Sequence, residues 1–357
     1  LEYDAVKCYC VTEFHKPLEM LVQTTPEPTG EQVLLKTRAA GVCHSDIHIW
    51  EGGYDLGHGK RLSLAERGIT LPLVMGHETV GTAVAMGPDA QGITPGKNYL
   101  VFPWLGCGEC PVCLSGKENY CATPRSLGVF QSGGYADHIL VPSSRYLLDI
   151  GDLNPAQIAP VACSGLTTFS AINKLDPAVY QQQPIVIMGA GGLGLMCLQI
   201  LKAVGGVGAI VVDIDDTKLQ AAKRAGALAT VNGRDKDALE QLLAANGNQT
   251  LPAVIDLVGS PESTALGFNA LIKGGTLVIV GFFGGAAPWS LALIPMKAAR
   301  IIGNYTGSLG ELKALLDLIR TGKFQPIEVT EYPLDQASEV LAALNDGSII
   351  GRAVLVD

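Results

Sequence analysis

The sequence predicts an α/β protein of two domains, a β-rich one and a doubly wound parallel sheet. Three observations predict it. The 357 residues exceed what a single hydrophobic core usually supports. Residues 1 to about 155 run in short stretches rich in Val, Thr, Gly and Pro, broken by turn signals such as Pro26-Glu27-Pro28-Thr29-Gly30. From Pro184 onward, strand-like and helix-like stretches alternate behind a glycine-rich turn.

Composition narrows the class of function. Apolar residues make up 48% and charged ones 17%, which suits a packed globular chain. A net charge of −9 argues against a nucleic-acid partner, which needs a basic patch. The stretch Pro184–Leu201 is apolar enough to raise a membrane question, but four glycines split it into a strand-like and a helix-like half. Leu1-Glu2-Tyr3-Asp4 lacks the basic and apolar regions of a secretory signal, so a cytoplasmic location is expected. No repeat or low-complexity segment is visible.

In chain order, Gln32–Thr37 reads as a strand, and residues 51–70 as the longest loop without strand character. Cys107, Cys110, Cys113 and Cys121 follow in a Cys-x2-Cys-x2-Cys-x7-Cys pattern. Four thiolates close a tetrahedral shell, so this zinc is expected to be structural. Of the other five cysteines, Cys43 and Cys163 belong to the second ligand group described below, and Cys8, Cys10 and Cys197 are read as inert thiols in a reducing compartment.

Ile185–Met188 reads as a buried strand, and Gly189-Ala190-Gly191-Gly192-Leu193-Gly194 opens a helix running to about Val204. The next strand ends at Asp213, 19 residues past Gly194. In that setting G-x-G-x-x-G signals dinucleotide binding. Gly189 allows the tight turn, Gly191 the approach of a pyrophosphate and Gly194 the packing of helix on strand. The helix N-terminus offers free N–H groups to the phosphates, and Asp213 would take the ribose hydroxyls of NAD. Further units are expected as helix 219–226, strand 253–258, helix 262–272 and strand 276–280. After about Asn304, a helix over 311–320 and two strand-like pieces are expected to return to the first domain.

The densest chemistry lies in Cys43-His44-Ser45-Asp46-Ile47-His48. With Gly76-His77-Glu78 and the isolated Cys163 it supplies three zinc ligands, Cys43, His77 and Cys163, leaving a fourth position open as catalytic zinc requires.

Over essentially its whole length the chain resembles the zinc-dependent medium-chain alcohol dehydrogenases, most of all the tetrameric archaeal and bacterial type. The likeness is carried by residues 43–48, Gly76-His77-Glu78-x2-Gly81, the four-cysteine lobe, Cys163-Ser164-Gly165-Leu166-Thr167-Thr168, the dinucleotide motif and Gly351-Arg352. It implies a GroES-like catalytic domain over 1–154 and 305–357, and a Rossmann NAD-binding domain over 155–304. It also implies two zinc ions per chain, NAD, a small alcohol or aldehyde substrate and a homotetramer, alternatively a dimer. Among residues, it implies Cys43, His77 and Cys163 as catalytic zinc ligands, Glu78 as a nearby carboxylate and Asp46 as the residue that orients His77. Ser45 and His48 match the proton relay, His44 and Arg352 the cofactor pyrophosphate, Lys218 the adenosine ribose and Thr167 the nicotinamide. Trp104 matches a substrate-pocket position. Trp50 is a second pocket candidate, with plain core packing as the alternative.

Departures are visible. The offset of 34 positions from Cys43 to His77 exceeds the vertebrate liver spacing, so residues 51–70 are expected to reshape the pocket mouth or an interface. His44 stands where some relatives carry Arg. Polyol dehydrogenases of the superfamily generally carry Glu for the third ligand Cys. Such an enzyme is nevertheless the second reading, and a noncatalytic nicotinamide-binding protein the third. The latter should have lost ligands or relay residues, all of which are kept here.

Overall fold

The computed structural model describes residues 5–287 and 289–357, so the Leu1–Asp4 stretch read for a signal lies outside the described residues. The first domain is built around one strand, Val33–Val42, in which only Arg38 is exposed and Lys36 half-buried. It pairs antiparallel with Glu78–Met86 on one side and Arg352–Val356 on the other, and His138–Val141 also joins it. The sheet runs Leu147–Asp149, Asn98–Val101, Glu78–Met86, Val33–Val42, Arg352–Val356, Val329–Pro333. A smaller sheet holds Glu19–Gln23, Val6–Val11 and Leu73–Val74 in that order.

Register in the larger sheet decides the site. Gly41 stands opposite Glu78, and a side chain at Gly41 would meet Glu78 Oε2 at 2.0 Å. The strand end at Cys43 and the strand start at His77 are therefore neighbours. Ala353 stands opposite Val42, which brings Arg352 to the same place. The chain's tail thus pairs with its first domain after the parallel sheet is complete.

That second sheet has six parallel strands, ordered Ala229–Asn232, Ala209–Asp213, Ile185–Met188, Leu251–Asp256, Leu271–Ile279, Arg300–Gly303. This is the 3-2-1-4-5-6 order of the doubly wound dinucleotide fold, with its crevice where the order reverses. All four residues of Ile185–Met188 are buried, as a central parallel strand requires. The largest core runs through both domains, from Leu35, Leu100 and Phe102 through Leu166 and Ile172 to Ile187 and Ile200.

Several expected bounds shift. The helices lie at Asp216–Arg224, Pro261–Ala270 and Leu309–Arg320, and the strands at Leu251–Asp256 and Leu271–Ile279. The 51–70 loop is not structureless: Gly53–Asp55 and Arg61–Ser63 form an antiparallel hairpin. The tail holds a second helix, Ala337–Asn345. Among the described residues, no helix is long and apolar enough to cross a membrane.

Candidate active site

Cys43 caps the helix His44–Glu51, which Gly52 ends in the left-handed conformation with φ of 76°. Cys163 caps the helix Ser164–Ile172, and His77 precedes the strand Glu78–Met86. These three turns meet in the core. Ligand atoms of Cys43, His77, Glu78 and Cys163 all lie within 4.8 Å of one another, and all four residues are buried. The Sγ atoms of Cys43 and Cys163 are 3.9 Å apart. That is far beyond a disulfide of about 2.05 Å. It matches the roughly 3.8 Å between two sulfurs on tetrahedral zinc with Zn–S of about 2.3 Å. His77 Nε2 is buried without a protein partner, as a ligand nitrogen would be. The donor set fits zinc.

Asp46 holds this cluster in place. Its Oδ2 accepts from the Cys43 N–H at 2.9 Å and from the Tyr135 hydroxyl at 2.9 Å, while Oδ1 stands 3.2 Å from His77 Nδ1. The Cys43 thiol is held well below its ordinary pKa by the Cys163 thiol, against burial, with His77 adding to the effect. Glu78 accepts from the Ser164 N–H at 3.1 Å and pairs with buried Arg352. Burial pushes the Glu78 carboxyl up, and Arg352 pulls it down.

Ser45 and His48 lie half-buried, one turn apart on the helix behind Cys43. His48 Nδ1 is 3.7 Å from Glu51 Oε2, and its ring lies 4.9 Å from that of Tyr54. Burial lowers its pKa, with Glu51 opposing. Trp104 stands 5.2 Å from His77 ring to ring and donates to Ala162 O at 3.1 Å, so it borders the cluster. Trp50 is placed differently. Its indole N–H donates to Lys16 O at 2.6 Å and its ring meets that of His15 edge-on.

The dinucleotide motif sits in the crevice. Gly189 has φ of 96°, a side chain at Gly194 would strike Gly189 O at 2.0 Å, and the space at Gly191 is open. Half-buried Leu193 follows in the first helical turn. A side chain at Gly192 would meet Arg352 Cδ at 2.5 Å, and buried Arg352 Nε has no partner. The guanidinium therefore borders both the glycine turn and Glu78. His44 lies exposed at the first helical position beside Cys43. Thr167 Oγ1 is buried and unpartnered in the helix behind Cys163.

Asp213 is fixed by three backbone donors, Ala190 at 2.6 Å, Ile214 at 2.7 Å and Asp215 at 3.0 Å. It lines a cavity of about 610 Å³ with Gly189, Ile214, Arg234, Lys236 and Phe283. Lys218 is half-buried in the next helix, its Nζ 3.8 Å from where a side chain on Gly347 would begin.

The four lobe cysteines also gather. Cys107 and Cys113 sulfurs are 3.8 Å apart, and those of Cys110 and Cys121 3.9 Å. Backbone N–H groups of Cys107, Cys110, Cys113 and Thr123 donate to sulfur at 3.3 to 3.5 Å, which favours thiolates. Buried Glu118 ties the lobe down, accepting from Gly106 N–H, the Tyr146 hydroxyl and Arg145. Cys8, Cys10 and Cys197 are buried, and burial pushes Cys10 and Cys197 up to about 12.

Sequence reasoning missed Tyr135, Tyr54 and the cations Arg234 and Lys236. Tyr135 left a signal in the Gly133-Gly134 pair before it. Side chains there would strike Gly76 O at 2.3 Å and Thr79 Oγ1 at 2.1 Å, so the tyrosine reaches Asp46 only behind two glycines. Arg234 and Lys236 follow a strand, Ala229–Asn232, that the sequence pattern did not reveal.

Comparison with known proteins agrees with this geometry. Residues 29–152 match the alcohol dehydrogenase GroES-like domain, and residues 192–321 the zinc-binding dehydrogenase domain. An NAD-dependent alcohol dehydrogenase of Sulfurisphaera tokodaii is 36% identical over 97% of this chain and 98% of its own. A D-arabinose 1-dehydrogenase (NADP(+)) of Saccharolobus solfataricus is 30% identical over 98% of this chain and 97% of its own. The crystal structure of the alcohol dehydrogenase from Aeropyrum pernix superposes with a TM-score of 0.88 at 28% identity, covering 98% of this chain and 100% of that one. The chain belongs to the zinc-binding, GroES-like alcohol dehydrogenase family of the medium-chain dehydrogenase/reductase superfamily.

Proposed function

We propose that this chain oxidises primary or secondary alcohols reversibly to aldehydes or ketones, with NAD and two zinc ions. Cys43, His77 and Cys163 would hold the catalytic zinc, and Cys107, Cys110, Cys113 and Cys121 the structural one. The observation that carries the reading is the buried cluster of Cys43, His77 and Cys163 with Arg352 linking it to the dinucleotide turn.

When bound, zinc supplies a Lewis acid for the alcohol oxygen and NAD a hydride acceptor. Asp46 fixes the His77 ring through Nδ1, leaving Nε2 free to ligate. Ser45 and His48 take the hydroxyl proton toward solvent, which suits an imidazole whose lowered pKa keeps it neutral near pH 7. Buried Trp104, beside His77, and buried Thr167, in the helix after Cys163, would help to exclude water. Arg352 and the N–H groups of the glycine turn hold the pyrophosphate, and Asp213 the adenosine ribose. Glu78 balances the Arg352 charge beside the metal ligands.

The family resemblance supports a homotetramer, alternatively a dimer. Nine thiols without a disulfide support a cytoplasmic setting. A sugar substrate is the second reading, favoured by the D-arabinose relative. The test is NAD reduction by a panel of primary, secondary, aromatic and polyhydric alcohols. Turnover of simple alcohols is expected, and turnover of sugars or polyols alone would overturn the reading.

A further inference from the structure

A continuous line of rings joins the two histidines of the site. Ring centroids run from His77 to Trp104 at 5.2 Å, Trp104 to Tyr305 at 6.4 Å and Tyr305 to Phe282 at 6.2 Å. They continue from Phe282 to Tyr54 at 5.5 Å and from Tyr54 to His48 at 4.9 Å. The four linking rings come from four separate segments, so the line is assembled by the tertiary fold.

These rings are not simply core. Phe282 is 42% exposed and Tyr305 43%, although each carries a large apolar area that a globular chain normally covers. Tyr54 is half-buried, and Trp104 is pinned by its bond to Ala162 O. The Tyr54 end is equally fixed. Its hairpin meets the 281–287 segment backbone to backbone, with a side chain at Gly57 landing 2.7 Å from Gly285 C and one at Gly284 landing 2.6 Å from Asp55 O. A rigid aromatic surface therefore lies beside the metal ligand at one end and the relay histidine at the other.

We infer that this wall binds the non-reacting part of the substrate and selects a flat apolar group, such as an aryl ring, over a polyhydroxylated chain, with Tyr54 as a specificity-determining residue. The inference rests on the alcohol dehydrogenase reading above. An aryl group gains offset or edge-on ring contacts along the wall. A polyol would press most of its hydroxyls onto ring carbon and lose their water partners, because only the Tyr54 and Tyr305 hydroxyls are there to replace them. The hairpin of residues 53–63 thereby acquires a role, since it delivers Tyr54 to the site.

The test compares kcat/KM with NAD for benzyl alcohol, ethanol and xylitol in the whole enzyme and in Tyr54→Ala, Tyr54→Phe and Phe282→Ala. Benzyl alcohol is expected to exceed ethanol by about 10-fold and xylitol by about 100-fold. Tyr54→Ala and Phe282→Ala should each lower the benzyl-to-ethanol ratio by about 5- to 10-fold, mainly through KM. Tyr54→Phe should keep that ratio, which separates loss of the ring from loss of the fold. Ethanol turned over as efficiently as benzyl alcohol, xylitol preferred to both, or an unchanged ratio in both alanine variants would each overturn the inference while leaving the dehydrogenase reading in place. No NAD reduction with any of the three would overturn both.

Discussion

Asp46 Oδ1 lies 3.2 Å from His77 Nδ1, and both side chains are wholly buried. The other Asp46 oxygen is occupied by the Cys43 N–H and the Tyr135 hydroxyl, so the carboxylate cannot turn away. It fixes which His77 nitrogen faces the sulfurs.

Asp46→Asn should therefore loosen the ligand without removing it. Loss of such a partner typically costs about 10- to 100-fold in metal affinity or activity. Chelator competition on the variant reads the affinity directly. Unchanged zinc retention would show that His77 is held by packing alone.

His48 gives a pH prediction. Burial lowers its pKa beneath the ordinary imidazole value of about 6.5. Its neutral form is therefore present above the folded pKa, and its contribution to proton removal fades only as pH falls through that lowered value. His48→Gln should slow alcohol oxidation most near pH 7 and less at about pH 10, where hydroxide takes the proton directly, with partial rescue by added imidazole. A pH–rate profile of unchanged shape would assign His48 to its Glu51 and Tyr54 contacts instead.

Cofactor choice follows from Asp213. Three backbone bonds fix its carboxylate at the cavity that, on the reading proposed above, would take the adenosine ribose. A 2′-phosphate would meet this charge, while Asp215 caps the next helix and Asp216 accepts from Asn232. NAD should be preferred on the order of 100-fold, even though Arg234 and Lys236 line the same cavity. Asp213→Gly with Ile214→Arg should relax or reverse that preference. Equal kcat/KM for NADP in the native enzyme would contradict the assignment and identify Arg234 and Lys236 as phosphate partners.

Much of this was legible because local chemistry repeats along the chain. The lobe cysteines lie within 15 residues, and the glycine turn, its strand and Asp213 within 29, so spacing alone identifies them. Trp50 shows the limit. It lies two residues from His48, but a helix turns about 100° per residue, and Trp50 points to Lys16. Tyr54 and Phe282 are far apart in sequence and meet only through tertiary packing. The hairpin at 53–63 was read as loop because three-residue strands are too short to show alternation.

The central claim is that one metal site is catalytic and the other structural, and zinc content measured beside activity tests it most directly. Freshly purified active protein should hold two zinc ions per chain. Cys43→Ser should hold one, keep its fold by circular dichroism and lose turnover, whereas Cys110→Ser should chiefly lose thermal stability. One zinc or none in the active native protein, or full turnover in Cys43→Ser, would contradict the account.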